Sequence, residues 1–234
     1  MLVCALLLVS SVSSATSSAT SLSMATPPTG GPPPGQFWDQ RYKSEDYAYG
    51  TAPNDFLKEA CGSLPPKSKI LCLAEGEGRN AVYLASLGHS VHGVDASAVG
   101  LAKAETLAEK QGVKDKVTTQ TVDLNDYDMG TSEWDAIVAI FCHLPPPLRE
   151  KVHAAIPAAL KPGGKLFLEA YNPQQLEFKT GGPPALEMLF TPEMMKEDFE
   201  GLKLEKNEML VRDVTEGTFH TGKGAVIQVV GLKG

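Results

Sequence analysis

The first 36 residues contain no Lys, Arg, Asp, Glu or His. They therefore lack the basic region that precedes the apolar core of a secretory leader, and the arginines usual in a transit peptide. The apolar run Leu2 to Val9 is too short to span a bilayer and resembles a signal-peptide core. Small residues from Ser13 to Ala15 offer a cleavage site, and TPPTGGPPPG closes the segment. Secretory or ER routing, plastid routing and a cytoplasmic protein starting at Met24 all stay open. In each case residues 1–36 are expected to be a targeting leader and linker, disordered or removed, with the domain over 37–234.

Cysteine is scarce: Cys4, Cys61, Cys72 and Cys142, with no metal-ligand spacing. That argues against a zinc site and a disulfide scaffold, leaving free thiols. No apolar stretch is long enough for stable membrane insertion. The net charge is −7 and no basic patch is present, which argues against a nucleic-acid partner held through its phosphates. A chain of 234 residues suits one α/β domain with an appendage.

What is present centres on ILCLAEGEGRNAVYLASLGHSVHGVD, residues 70–95. Ile70 to Leu73 is a short apolar run, as in a strand covered on both faces. Gly76 and Gly78 permit a tight turn and close approach of a ligand to the next helix, expected over Asn80–Leu87 with Gly88 past its end. Ser90 to Val94 is a second strand. Asp95 follows at its carboxyl end, with Ala96 beside it, where nucleotide folds bind a ribose. This unit predicts an adenosine-type cofactor.

The pattern then repeats. Ser97 caps a predicted helix over Val99–Gln111, Val117–Val122 is strand three, and Trp134–Phe141 is strand four. Leu148, Val152, Ile156 and Leu160 mark an amphipathic helix, despite Pro157. LKPGG is a stop and turn before strand five, Lys165–Ala170. Thr191-Pro192-Glu193 starts a short helix. Leu202–Val211 and Ala225–Val230 are strands with no room for a crossover helix, so they pair antiparallel. The expected architecture is α/β: a doubly wound Rossmann-like sheet of five parallel strands plus a C-terminal antiparallel pair, with helices on both faces.

With AEGEGRN, GVDAS, DLND, LKPGG and the opening YGTAPN in place, the chain from Phe37 onward resembles the class I S-adenosylmethionine-dependent methyltransferases. Within them it is most similar to the small-molecule branch of tellurite-resistance-type and thiopurine-type enzymes. The resemblance implies S-adenosyl-L-methionine as cofactor and a small-molecule acceptor. The backbone from Ala74 to Gly78 would meet the methionine end, with Glu75 and Asn80 supplying polar groups. Asp95 would take both ribose hydroxyls, Asp123 the adenine amine, and Leu124 the ring face. Trp38 or Tyr49, in an aromatic arm over residues 37–66, would close over the sulfonium. Cys72 and Ala74 depart from the Asp and Gly that many members carry. Glu75 restores an acid there.

Methyl transfer from a sulfonium requires in-line positioning and exclusion of water, and a thiol or other chalcogen acceptor need not have a general base. Where a base is needed, His143 and Tyr171 are the candidates. His220 is read as structural. The acceptor pocket is expected between the arm at 38–54, the loop at 143–147 and the segment 171–184. FCHLPPP after strand four differs from the Asn/Asp-Pro-Pro-aromatic signature of enzymes that methylate base amino groups. Three alternatives stand: a protein or nucleic-acid methyltransferase, a non-catalytic cofactor-binding module, and a nicotinamide dehydrogenase. Gly76 to Ala81 fits the loose dinucleotide motif, but no Tyr-x-x-x-Lys pair accompanies it.

Overall fold

The computed structural model describes residues 34–234. The expected cleavage site, the apolar run and Cys4 lie outside the described residues. Helix α1 spans Pro34–Tyr42, starting three residues before the predicted domain boundary, and α2 spans Asp55–Ala60. The core alternation follows: β1 (Lys69–Leu73), α3 (Arg79–Ser86), β2 (Ser90–Asp95), α4 (Ala98–Lys110), β3 (Val117–Thr121). It continues with β4 (Trp134–Ile140), α5 (Pro146–Ala159) and β5 (Leu160–Tyr171). The short α6 (Gln175–Phe178) and α7 (Pro192–Asp198) precede two long strands, β6 (Leu202–Glu216) and β7 (His220–Lys233).

Side-chain alternation along β1 sets the layers. Ile70 and Cys72 face a core shared with Phe56, Leu57, Leu84 and Leu107, on the side of α2, α3 and α4. Leu71 and Leu73 face the opposite core, with Val152, Ile156, Phe190 and Phe199. Burial on both faces is why this strand reads as a continuous apolar run. Cys61, Cys72 and Cys142 are buried free thiols.

The sheet order is β3-β2-β1-β4-β5-β7-β6. The predicted final pair is present, with a correction to its layout. β7 lies between β5 and β6 and runs antiparallel to both, so it alone opposes the direction of the rest. Both strands are also longer than the apolar runs indicated. The Gly/Thr-rich stretch between them is paired from Arg212↔Gly224 to Glu216↔His220, leaving only residues 217–219 as the turn. Polar strand residues carry no periodic apolar signal where one face meets solvent or a charged cluster. LKPGG is likewise absorbed into β5: Leu160 pairs with Trp134, and the ladder resumes at Lys165↔Ala136 after a register shift.

The cap residues are those expected. Ser97 Oγ accepts from Gly100 N at 2.9 Å, and Thr191 caps α7. Gly78, with φ 89°, precedes α3, and a Cβ there would stand 2.5 Å from Ala104 Cβ and 2.6 Å from its Cα. Its missing side chain lets α3 pack on α4. Gly78→Ala is expected to cost about 2–4 kcal/mol by combining left-handed strain with overpacking. A urea midpoint unchanged from the parent would contradict this.

Candidate active site at the carboxyl edge of the sheet

The parallel strands end at one edge, where a cavity of about 210 Å³ opens. Residues at or just past the ends of β1, β2 and β3 form its floor: Ala74 and Glu75, Asp95 and Ala96, Asp123 and Leu124. Asn80 also lines it, while Trp38, Tyr42 and Tyr49 contribute from the N-terminal arm. Phe141, His143, Pro145, Pro183 and His220 form much of the remaining wall, which also includes the charged Glu77 and Arg79. This is the carboxyl-edge crevice in which open α/β sheets bind ligands.

Asp95 is 5% exposed, and its two oxygens hold the turn and the following helix. Oδ2 accepts from Gly76 N at 2.8 Å and Oδ1 from Ser97 N at 2.8 Å. Each oxygen retains a second lone-pair direction. Burial pushes its pKa up to about 6, against the pull of those N–H groups. Glu75 points inward: Oε1 accepts from Asn80 N (3.1 Å) and Ala81 N (2.8 Å), fixing the start of α3. Burial raises Glu75 to about 7.

Both carboxyls have folded pKa values above their ordinary 3.8 and 4.5. The folded chain therefore holds protons that the unfolded chain has released. Their stabilising contribution is complete below the ordinary values and is lost as pH rises through 6 to 7. Glu75→Gln is expected to flatten the fall in denaturant midpoint between about pH 5 and 7.5 in the ligand-free chain. An equally steep fall in the variant would exclude Glu75 as a source.

Other predicted residues take different roles. Gly76 and Gly78 do not line the cavity. A Cβ on Gly76 would meet the Tyr42 hydroxyl at 2.7 Å, so protein rather than ligand occupies the open side of that turn. Asn80 Oδ1 accepts from Asn54 N at 3.0 Å, tying the arm to α3. Asp123 Oδ1 accepts from Asn125 N at 2.8 Å, and Leu124 is buried beside it. Ala74 adopts φ 50°, a left-handed conformation in which glycine is the least strained residue.

Of the two candidate bases, His143 lines the cavity and Tyr171 does not. His143 Nδ1 lies 2.7 Å from Met188 O, and Nε2 accepts from Tyr171 N at 3.1 Å. That pattern assigns the proton to Nδ1 and engages both nitrogens. Burial lowers its pKa to about 4. The ring thus ties the loop after β4 to β5 and to the segment before α7. Tyr171 is not among the cavity-lining residues, and burial raises its phenol well above the ordinary value.

The arm is built onto the domain. Asp39 Oδ1 accepts from Ser97 Oγ (2.6 Å) and Val99 N (3.2 Å), and Lys103 Nζ donates to the Ser44 and Asp46 carbonyls. Trp38 stacks on Tyr42, with centroids 5.6 Å apart. Thr218 N donates to Ala48 O at 3.0 Å, joining the arm to the β6–β7 turn.

A buried polar network under this junction escaped the sequence reading. Glu169, fully buried, receives Asn54 Nδ2 (2.7 Å), Gln228 Nε2 (2.6 Å) and a two-point contact from Arg212 (2.5 and 3.1 Å). Glu216 receives Arg79 NH2 (2.6 Å), Arg212 NH2 (2.8 Å) and Asn54 Nδ2 (2.9 Å). Apart from Arg212 and Glu216, the charged partners lie 43 and 137 positions apart and carry no local pattern that would pair them.

An acid-bearing floor built from Glu75, Asp95 and Asp123 suits a cofactor that combines a cation with ribose hydroxyls and an adenine amine. Together with a parallel sheet closed by an antiparallel strand, it has the layout of the class I methyltransferase fold. Residues 70–164 match the methyltransferase domain family Methyltransf_25. That stretch is thus similar to a methyltransferase domain, a family whose cofactor is S-adenosylmethionine.

An uncharacterized protein of Synechococcus sp. is 33% identical over 147 residues, which are 60% of this chain and 32% of that relative. The chain therefore spans about a third of the length of this curated relative. Among solved structures, TehB from Haemophilus influenzae superposes with TM-score 0.64 at 18% identity, covering 86% of this chain and 67% of TehB. A protein described for the conversion of a disulfide bond into a thioacetal group during echinomycin biosynthesis gives TM-score 0.68 at 16% identity, with 85% and 92% covered. At these identities the two structures establish the shared fold.

Proposed function

We propose that the chain transfers the methyl group of S-adenosylmethionine to a small, soft nucleophile of the thiol or heavier-chalcogen class. The observation that carries this reading is the division of the cavity. Its floor carries Glu75, Asp95 and Asp123, and the lining contributed by the stretch after β4 is mostly aromatic and apolar. The bound cofactor supplies an activated methyl group on a sulfonium. In this reading Asp95 holds the ribose hydroxyls, Asp123 and Leu124 hold the adenine, and Glu75 places negative charge beside the methionine end. Trp38 and Tyr49 roof the cation and exclude water. The acceptor lies against Phe141, Leu144 and Pro183, and its alignment is the main catalytic contribution.

The acidic balance and the aromatic wall support a small acceptor over a nucleic acid. The turn at Gly76 weighs against the nicotinamide alternative, because Tyr42 fills the approach that a pyrophosphate would use. A labelled-methyl assay on the full chain, comparing small thiols and chalcogen anions with DNA, RNA and protein extracts, tests the acceptor class. Label confined to macromolecules would overturn it.

His143→Ala discriminates a tie from a base. The expected result is a stability loss of about 1–3 kcal/mol, from the unpaired Tyr171 N–H and Met188 carbonyl. Thiol methylation per folded molecule should stay within about threefold of the parent. A loss of about 100-fold would instead make His143 a base.

A further inference from the structure

We propose that Arg79 seats a carboxylate of the acceptor, so that the substrates are acid-bearing thiols or their heavier-chalcogen counterparts. This inference rests on the thiol-class reading above and narrows it. Arg79 is 8% exposed and lines the cavity, where it is the one guanidinium or ammonium group among the described residues. It opens α3, directly after Gly78.

Its hydrogen bonds are incomplete. NH2 donates to Glu216 Oε2 at 2.6 Å, which fastens the guanidinium beside the β6–β7 hairpin. NH1 is enclosed and has no acceptor among the described residues. Glu216 has little left to offer it, because Oε1 already receives Arg212 NH2 at 2.8 Å and Asn54 Nδ2 at 2.9 Å. A buried donor on a charged group is costly to leave unmet, and a carboxylate is the acceptor whose shape matches the guanidinium fork.

A second guanidinium adds to the same field. Arg41 on α1 stands 4.3 Å from the Phe219 ring centroid and 5.8 Å from that of Phe37, and its NH1 is likewise enclosed without an acceptor. Arg41 and Arg79 both pull the pKa of the Tyr49 phenol down, against the burial that raises it to about 12. Tyr49 lines the cavity, so the charge of both cations is felt at its wall. The nearby ammonium of Lys103 is committed elsewhere, to Glu77 and to the Ser44 and Asp46 carbonyls.

Two carboxylates are candidates for Arg79, one at the methionine end of the cofactor and one on the acceptor. The tie to Glu216 favours the acceptor, because it holds the guanidinium to β6, apart from the strand ends that carry ribose and adenine in this reading. The acids of the floor do not oppose an anionic acceptor once the sulfonium and ammonium of the cofactor offset them.

The test measures kcat/KM of the full chain and of Arg79→Met on thiophenol and 3-mercaptobenzoate. These aryl thiols are similar in shape and both largely ionised at about pH 8, so thiol acidity does not separate them. The expected result is a parent preference of about 10- to 100-fold for the acid, carried mainly by KM, and a ratio near one in the variant. A parent ratio near one, or a variant that keeps the parent's ratio, would overturn the inference. Calorimetry on the same pair reads S-adenosylhomocysteine affinity. A loss of similar size there would give Arg79 to the cofactor carboxylate and overturn the inference as well.

Should Arg79→Met fail to fold, Arg79→Lys keeps the charge and loses the fork, and about tenfold of the preference should go with it. An unchanged ratio in that variant counts against the inference. If the parent binds S-adenosylhomocysteine but methylates neither thiol, the thiol-class reading itself fails. Benzoate titrated into the S-adenosylhomocysteine-loaded parent then decides on Arg79 alone: saturable binding supports a carboxylate seat, and no heat beyond dilution overturns it.

Discussion

Asp95→Ala is expected to lower the affinity for S-adenosylhomocysteine by about 100-fold or more while the chain stays folded. The affinity term comes from two ribose hydroxyls that would lose a charged acceptor, each worth about 1.5–3 kcal/mol. The folding term is smaller, because two effects oppose each other. Gly76 N and Ser97 N lose their acceptors, at about 1–3 kcal/mol each. Against that, the parent carboxylate is penalised by burial, as its pKa of about 6 records, and the variant is relieved of that charge. Calorimetric titration with a thermal melt on the same sample separates the two. Unchanged affinity in a folded variant would remove the ribose assignment.

The second large effect lies away from the cofactor. Glu169→Ala is expected to cost about 3–5 kcal/mol, the cost of removing one partner from a buried ionic cluster. Asn54, Arg212 and Gln228 all converge on this carboxylate, and none gains a new acceptor when it goes. Lys114→Ala provides the contrast. Lys114 and Glu109 form an ion pair whose side chains are 60% and 69% exposed, and its loss should cost no more than about 1 kcal/mol. Urea midpoints of the two variants give the comparison. Similar small shifts in both would show that the cluster is no more cohesive than a surface pair.

The cluster also marks where sequence reasoning stops. Ile70 to Asp95 was legible because a doubly buried strand, a two-glycine turn and a capped helix each leave a local signature. Ser97 and Thr191 cap their helices as their positions indicate, because a cap depends only on the next three residues. The strand order at the C-terminal edge was less legible. Hairpin pairing required β6 and β7 to be neighbours, but nothing local chose which of them would dock on β5. The apolar run Ala225–Val230 explains the outcome, since most of its residues are buried in the interior of the sheet beside β5 while β6 takes the edge.

Site residues divide in the same way. Ala74, Glu75, Asp95, Ala96, Asp123 and Leu124 line the cavity because fixed offsets from strand ends place them there, and Asn80 on α3 and Trp38 on α1 join them. Gly76 and Gly78 do not, since which body a glycine admits depends on the packing partner: Tyr42 for one and Ala104 for the other. His143 lines the cavity and Tyr171 does not, and hydrogen bonds to Met188 O and from Tyr171 N engage both ring nitrogens of His143. Glu216 and His220 meet only through the hairpin register, which no local pattern indicates.

Binding of an S-adenosyl cofactor in the carboxyl-edge cavity is read by calorimetric titration of the full chain with S-adenosylhomocysteine, and separately with NAD and NADP. The expected result is saturable one-to-one binding of S-adenosylhomocysteine and no heat beyond dilution with either nicotinamide. Binding of a nicotinamide cofactor alone would contradict it and make Asp95 the ribose ligand of a dehydrogenase.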